Sequence, residues 1–166
     1  MARYNATFSG VTPAAVADAA TFTAGQAYGF LRCGTATQYL KVNEVYVGGE
    51  SAASTPTQVI LARDSTISVG ALSVGGLSLS DFNSTAPSTA PAFGSTAATT
   101  FPQRGAAATL YLLQLSLNTF GGISRWQARY GEEIGQFGNT ANGGETSLST
   151  KVGTGQASGH IIFEAV

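Results

Sequence analysis

The chain has 166 residues, 43% of them hydrophobic, with only eight basic and nine acidic side chains and a net charge of −1. Charged residues make up 10% of it, against about 25% in an average soluble domain. That balance excludes a nucleic-acid binder that works through a concentrated basic patch, because the eight cations are scattered from Arg3 to Lys151. It also excludes a wholly disordered chain, which would carry more charge and fewer aromatics. One domain of this length buries roughly 70% of its unfolded surface. No metal or disulfide is needed for a core, and the single Cys33 has no intrachain partner. No apolar stretch approaches the ~20 residues of a membrane span, and no hydrophobic block follows Arg3, so neither a membrane segment nor a signal peptide is expected. The sequons Asn5-Ala6-Thr7 and Asn83-Ser84-Thr85 then read as coincidental. A surface of Thr, Ser, Gly and Ala suits a protein packed against neighbours. The alternative is a weakly charged monomer kept soluble by its hydroxyls.

In chain order, residues 1–25 read as an N-terminal arm or edge segment, and residues 26–166 as one β-sandwich domain. Arg3 to Ser9 alternates, with Tyr4, Ala6 and Phe8 on one side, so it is a half-buried strand or an extended arm. Thr12 to Ala20 is the best helix candidate, with Thr12 as N-cap and Pro13 at N1, although a single turn or loop fits as well. A strand is predicted over Gln26 to Cys33, which carries Tyr28, Phe30, Leu31 and Cys33 and is ended by Gly34. Gln38 to Asp64 then holds two runs rich in Val, Ile, Leu and Tyr around the Gly- and Ser-rich connection Gly48–Thr57, a β-hairpin signature. In the first run Leu40 and Val42 share one parity, and Val45 and Val47 the other. The face therefore switches near Asn43-Glu44, which requires a β-bulge or a strand buried on both faces.

Thr66 to Leu79 continues as strand-like sequence broken by glycines. Residues 81–105, with three prolines and many small hydroxyl residues, read as a long surface loop. In it Phe82, Phe93 and Phe101 are apolar anchors for docking on this chain or a neighbour. Leu113, Leu115 and Leu117 alternate with Gln114, Ser116 and Asn118, so 107–120 is a strand rather than a helix. Shorter strands follow at 123–130, 132–137 and 147–152. The chain closes on His160 to Val166, which is expected to pair with an inner strand. Many short strands, Gly-rich turns and almost no helix predict an all-β, antiparallel β-sandwich. The topology expected first is jelly-roll-like, and second immunoglobulin-like.

Chemistry is sparse. Gly153 to Gly159 has the spacing G-x-G-x-x-x-G and leads into a strand, so it is a turn and not a phosphate loop. Glu132 and Glu133 are adjacent and point to opposite faces if extended. His160 is the only histidine, with no G-x-S-x-G motif and no metal-ligand spacing around it. No catalytic residue, cofactor site or metal site is expected, and the chain reads as a non-enzyme. Arg125-Trp126-Gln127-Ala128-Arg129-Tyr130 is the most suggestive cluster, since Arg, Trp and Tyr dominate interface hot spots. On a strand both arginines share one face and both aromatics the other. Either Trp126 lies in the core, or Trp126 or Tyr130 is exposed as a platform for sugar stacking.

The runs Y-L-K-V-N-E-V-Y-V-G-G-E and T-P-T-Q-V-I-L-A-R-D, with the terminal G-H-I-I-F-E, resemble small structural proteins of tailed-phage virions. They look most like head decoration (cement) proteins with a β-sandwich body. The resemblance implies a virion protein on the capsid surface, assembled in the host cytoplasm, that bridges neighbouring copies of the major capsid protein. It also implies a homo-oligomer, with a trimer favoured. The expected contact residues are Arg3, Tyr4 and Phe8 of the arm, Glu50 of the Gly48–Thr57 connection, Phe93 and Phe101 of the loop, and Arg125 and Arg129. A phage tail, baseplate or fibre component is the alternative within virions, and a carbohydrate-binding β-sandwich the alternative outside them.

Overall fold

The computed structural model describes residues 2–73, 75–79, 90–105, 110–138 and 144–166, and these are almost entirely β. Two antiparallel sheets face each other. One holds β1 (Ala2–Val11), β3 (Tyr39–Gly49), β6 (Gly76–Leu79), β10 (Ile123–Gln127), β11 (Ile134–Phe137) and β13 (Ala157–Ala165), in the order β10-β3-β13-β1-β6. In it β11 pairs with the part of β3 that β10 leaves free. The other runs β7 (Ala92–Gly94), β2 (Gly29–Arg32), β12 (Glu145–Val152), β4 (Pro56–Arg63), β9 (Tyr111–Asn118). A small ribbon pairs β5 (Leu72–Ser73) with β8 (Thr96–Ala97).

The pairings nest. β1 pairs with β13, β2 with β12, β3 with β10 and β11, and β4 with β9, so early strands meet late ones throughout. Two further pairings, β3 with β13 and β4 with β12, close the sheets. The terminal strand pairs with the inner strand β3, as expected, and with β1 on its other side, so it is itself interior.

The period-2 pattern places the core. Ala2, Tyr4, Ala6 and Phe8 of β1, Val59 and Leu61 of β4, Leu115 and Leu117 of β9, and Ile161 and Phe163 of β13 pack between the sheets. Each such side chain contributes about 1.5–3 kcal/mol when fully buried. The face switch in β3 is a bulge. Ile162 lies opposite Glu44 and Phe163 opposite Val42, so Asn43 is the extra residue. It returns Leu40 and Val42 to the same inner face as Val45 and Val47, and all four are fully buried. In β4 the adjoining Ile60 and Ala62 are also buried, so that strand is covered on both sides.

Two expectations are corrected and two open readings, the arm or strand at the N-terminus and the helix or turn after it, are decided. The two runs of Gln38–Asp64 are not a hairpin, because β3 and β4 lie in different sheets and the Gly48–Thr57 connection crosses between them. The N-terminal segment is no arm, because β1 sits between β13 and β6 with Tyr4 and Phe8 inside. No helix forms at Thr12–Ala20. Val16 N–H bonds the Thr150 carbonyl instead, and the chain turns at Asp18-Ala19, where Ala19 takes a positive φ. Finally, residues 90–105 of the supposed surface loop are built into the body. β7 extends the five-stranded sheet, and Phe93 enters the core. The rest of that stretch, including Phe82, lies outside the described residues, as does the sequon at Asn83.

The segment between β4 and β9 wraps one flank, its β6 covering the free edge of β1 and its β7 that of β2. Phe93 fits only because Gly29 has no side chain: a Cβ there would stand 2.2 Å from the ring. A second small core of Val16, Phe22, Ala27 and Phe30, with Phe101 against it, covers the outer face of the five-stranded sheet. The outer face of the six-stranded sheet has no such cover among the described residues.

Candidate functional site

That bare face is laid out by strand register. Side chains opposite the inward set rise from it in rows across the strands. Thr7, His160, Tyr46 and Arg125 form one row, and Asn5, Ile162, Glu44 and Gln127 the next. Arg3, Glu164 and Lys41 form a third, in which the charge signs alternate. The bulge at Asn43 brings Lys41 to the same face as Glu44 and Tyr46.

Glu44 is the centre. Its side chain is only 8% exposed and accepts bonds from Arg125 Nε and Nη2, both at 2.9 Å. His160 Nε2 approaches the same carboxylate at 3.0 Å. The Arg125 hydrogen bonds, and to a lesser degree His160, hold the Glu44 carboxyl below its ordinary range. The His160 ring stacks on Tyr46, with centroids 5.3 Å apart and planes at 13°. A carboxylate gripped by a guanidinium at both oxygens is a weak base, and no hydroxyl nucleophile bonds His160 among the described residues. The arrangement is suited to presenting a rigid, internally neutralised surface rather than to proton transfer. Among the described residues no group of three His, Cys, Asp or Glu could hold a metal ion.

Beside this row a trough of about 510 Å³ crosses the strands. Thr7, Ser9, Tyr46, Glu50, Ser158 and His160 line it, over a floor that includes Gly48 and Gly159. Past the ridge of Thr7–Ser9 a smaller hollow of about 260 Å³ continues to Gly75 and Gly76. The end of the trough is held by backbone bonds between three loops: Glu50 N to Gln156 O, Ser51 N to Thr119 O and Gly49 N to Gly122 O, each 2.8 Å. Phe120 and Ile123 stand exposed at the same end, at 61% and 67%.

The structure scatters the contact residues expected from sequence. Arg3, Glu50 and Arg125 do share this side of the molecule, Arg3 beside Glu164 and Glu50 on the trough rim. Arg129 is exposed in the turn after β10. Tyr4, Phe8 and Phe93 are buried, and half-buried Phe101 packs on Phe30, so none of the four offers a ring to a partner. Trp126 packs against the core, which removes it as a sugar platform. Tyr130 is fully exposed, but beyond the end of β10 and so not on Trp126's strand face. Glu44, Tyr46 and His160 were not picked out as a group from sequence. The alternation of the two strands marks each as outward, but only the register of β3 against β13 joins them. Comparisons with protein-family models, with curated proteins and with solved structures return no match.

Proposed function

We propose that this chain is a virion structural protein that docks on the outside of a phage head and bridges neighbouring capsid subunits. One observation carries the proposal: among the described residues a whole sheet face is uncovered, and its most buried carboxylate, Glu44, is already bound at both oxygens within the chain. Glu44 is neutralised by Arg125, with His160 Nε2 at 3.0 Å, and Arg3, Glu164 and Lys41 lie opposite one another in register with alternating charge. Pressing such a face against another protein strips water from few unpaired charges, which is the main cost of a polar interface. The nested strand pairing fits a jelly roll, in which two interlocked Greek keys present a stiff, edge-protected body. Self-association as a trimer belongs to the same reading, since three copies would present three such faces at once.

The test adds purified protein to undecorated heads of the encoding phage and images them by cryo-electron microscopy. The expected result is ordered density on the outer shell at subunit junctions, with the six-stranded sheet toward the capsid. Density on the tail or baseplate would transfer the protein there, and absence from both would end the virion reading. Sedimentation velocity reads the oligomer. A second reading rests on the trough, whose hydroxyls and Tyr46 ring suit a neutral sugar chain. A glycan array that loses a signal on Tyr46→Ala supports it, and a silent array removes it.

A further inference from the structure

The neck of the β4–β9 segment, where the chain leaves β4, holds two buried acids. Asp64 N–H bonds the Glu145 carbonyl at 3.0 Å, continuing the register in which Thr146 faces Arg63. The two residues are therefore directly opposed across adjacent strands, with Cβ atoms about 4.5–5.5 Å apart. Both lie on the outer face with Ser147, whose hydroxyl donates to Asp64 Oδ1 at 2.7 Å. Ser68, just past the neck, donates to Glu145 Oε2 from its backbone N–H at 2.8 Å and its hydroxyl at 2.7 Å. Asp64 is 1% exposed and Glu145 0%. Asp64 Oδ2 and Glu145 Oε1 are each left without a hydrogen-bond partner among the described residues.

Two guanidinium groups lie near, and the hydrogen bonds they make go elsewhere, although Arg104 Nε and Nη2 are themselves buried without a hydrogen-bond partner among the described residues. Arg32, opposite Glu145, donates to the Ser68 hydroxyl and to the carbonyls of Ser68 and Gly70. Arg104, the bridge partner of Asp64, donates from Nη1 to the carbonyls of Val16 and Thr150, and its Nε approaches Asp18 at 3.7 Å. Neither forms an ion pair with Asp64 or Glu145. Two opposed carboxylates, both out of water and neither salt-bridged, cannot both hold their charge cheaply.

We infer that Asp64 and Glu145 share one proton between their unpartnered oxygens, and that this bond is a latch holding the neck of the β4–β9 segment on the five-stranded sheet. Burial pushes the Asp64 carboxyl well above the ordinary range, with the charge of Glu145 adding to it, and burial raises Glu145 as well. The protons belong to the pair and not to either residue. A folded-state value above the unfolded one means that folding takes up a proton. The stabilisation is complete below the ordinary carboxylate range and is lost as pH rises through the pair's folded value. The latch holds in acid and slackens in alkali. It sits where both ends of the segment meet, since Ser65 N bonds Gln103 O at 2.8 Å beside it.

The test follows urea unfolding across pH for the wild type, Asp64→Asn and Glu145→Gln, with infrared spectra of the native proteins. Asn at 64 can still accept from Ser147 while its amide donates to Glu145, so it imitates the protonated form. The wild-type folding constant is expected to fall by up to tenfold per pH unit through the transition. Both variants should lose that slope, and the carboxylic-acid carbonyl band of the wild type should vanish in Asp64→Asn. The inference is overturned if the variants keep the wild-type slope or the wild type shows no such band. Stabilisation of the wild type by calcium, reversed by EDTA, would overturn it in favour of a cation site. Should a variant fail to fold, the wild-type band alone decides.

Discussion

Replacing Phe93 by Ala separates a docking aromatic from a core one. The side chain is 4% exposed and lies on the backbones of Gly29 and Gly75, where added Cβ atoms would stand 2.2 and 2.9 Å from its ring. Truncating a buried phenyl in such a slot costs about 3–5 kcal/mol, because the strands on either side cannot collapse into the space. Against a total of about 5–15 kcal/mol for a domain, that is a large fraction. For a chain of this size it lowers Tm by roughly 6–20 °C. Urea unfolding followed by the fluorescence of the single Trp126 measures it, since that ring packs against the same core. Gly29→Ala should destabilise by displacing the ring, and should cost less in a Phe93→Ala background, where the slot is empty. A Phe93→Ala loss under about 1 kcal/mol would refute the packing argument and restore the aromatic to a surface role.

Further outcomes follow from the same contacts. Glu44 is held below its ordinary range by Arg125 and His160, and Asp18 by Lys151 and Tyr111, so each stabilises the fold above the unfolded carboxylate value. That stabilisation is lost as pH falls through the folded values, so in an Asp64→Asn background, which removes the opposing gain of the buried acid pair, the urea midpoint should drop below about pH 4, and less steeply when Glu44→Gln is added. The Cys33 thiol is buried and pushed up to about 11, so labelling by a thiol reagent should be slow in the native protein and should track unfolding under urea. Gly159→Ala would place a Cβ 2.0 Å from the Tyr46 carbonyl oxygen, between β13 and β3. It should cost about 1–3 kcal/mol or more by calorimetry and disturb the His160–Tyr46 stack.

Face and element type were legible in the sequence, because a half-buried strand writes its environment into its own residues. The alternation of Leu113, Leu115 and Leu117 predicted β9, the broken parity at Asn43-Glu44 called for a bulge or a strand buried on both faces, and the closing run was expected to pair with an inner strand, as it does with β3. Partners were not legible. Two adjacent apolar runs with a turn between them have the same pattern whether they pair or cross to opposite sheets. That is why β3 and β4 read as a hairpin. Phe93 looked like a loop anchor because its cover comes from Gly29 and Gly75, remote in sequence. Glu44, Arg125 and His160 belong to three strands, and Asp64 and Glu145 to two. What brings them together is cross-strand register, a long-range property set by how the whole chain closes. The sequence by itself determined that this is an all-β sandwich with a weakly charged surface. Only the tertiary structure decided which sheet face stays bare, which charges are paired, and which acids are buried, because neighbours across a sheet are chosen by folding and not by spacing along the chain.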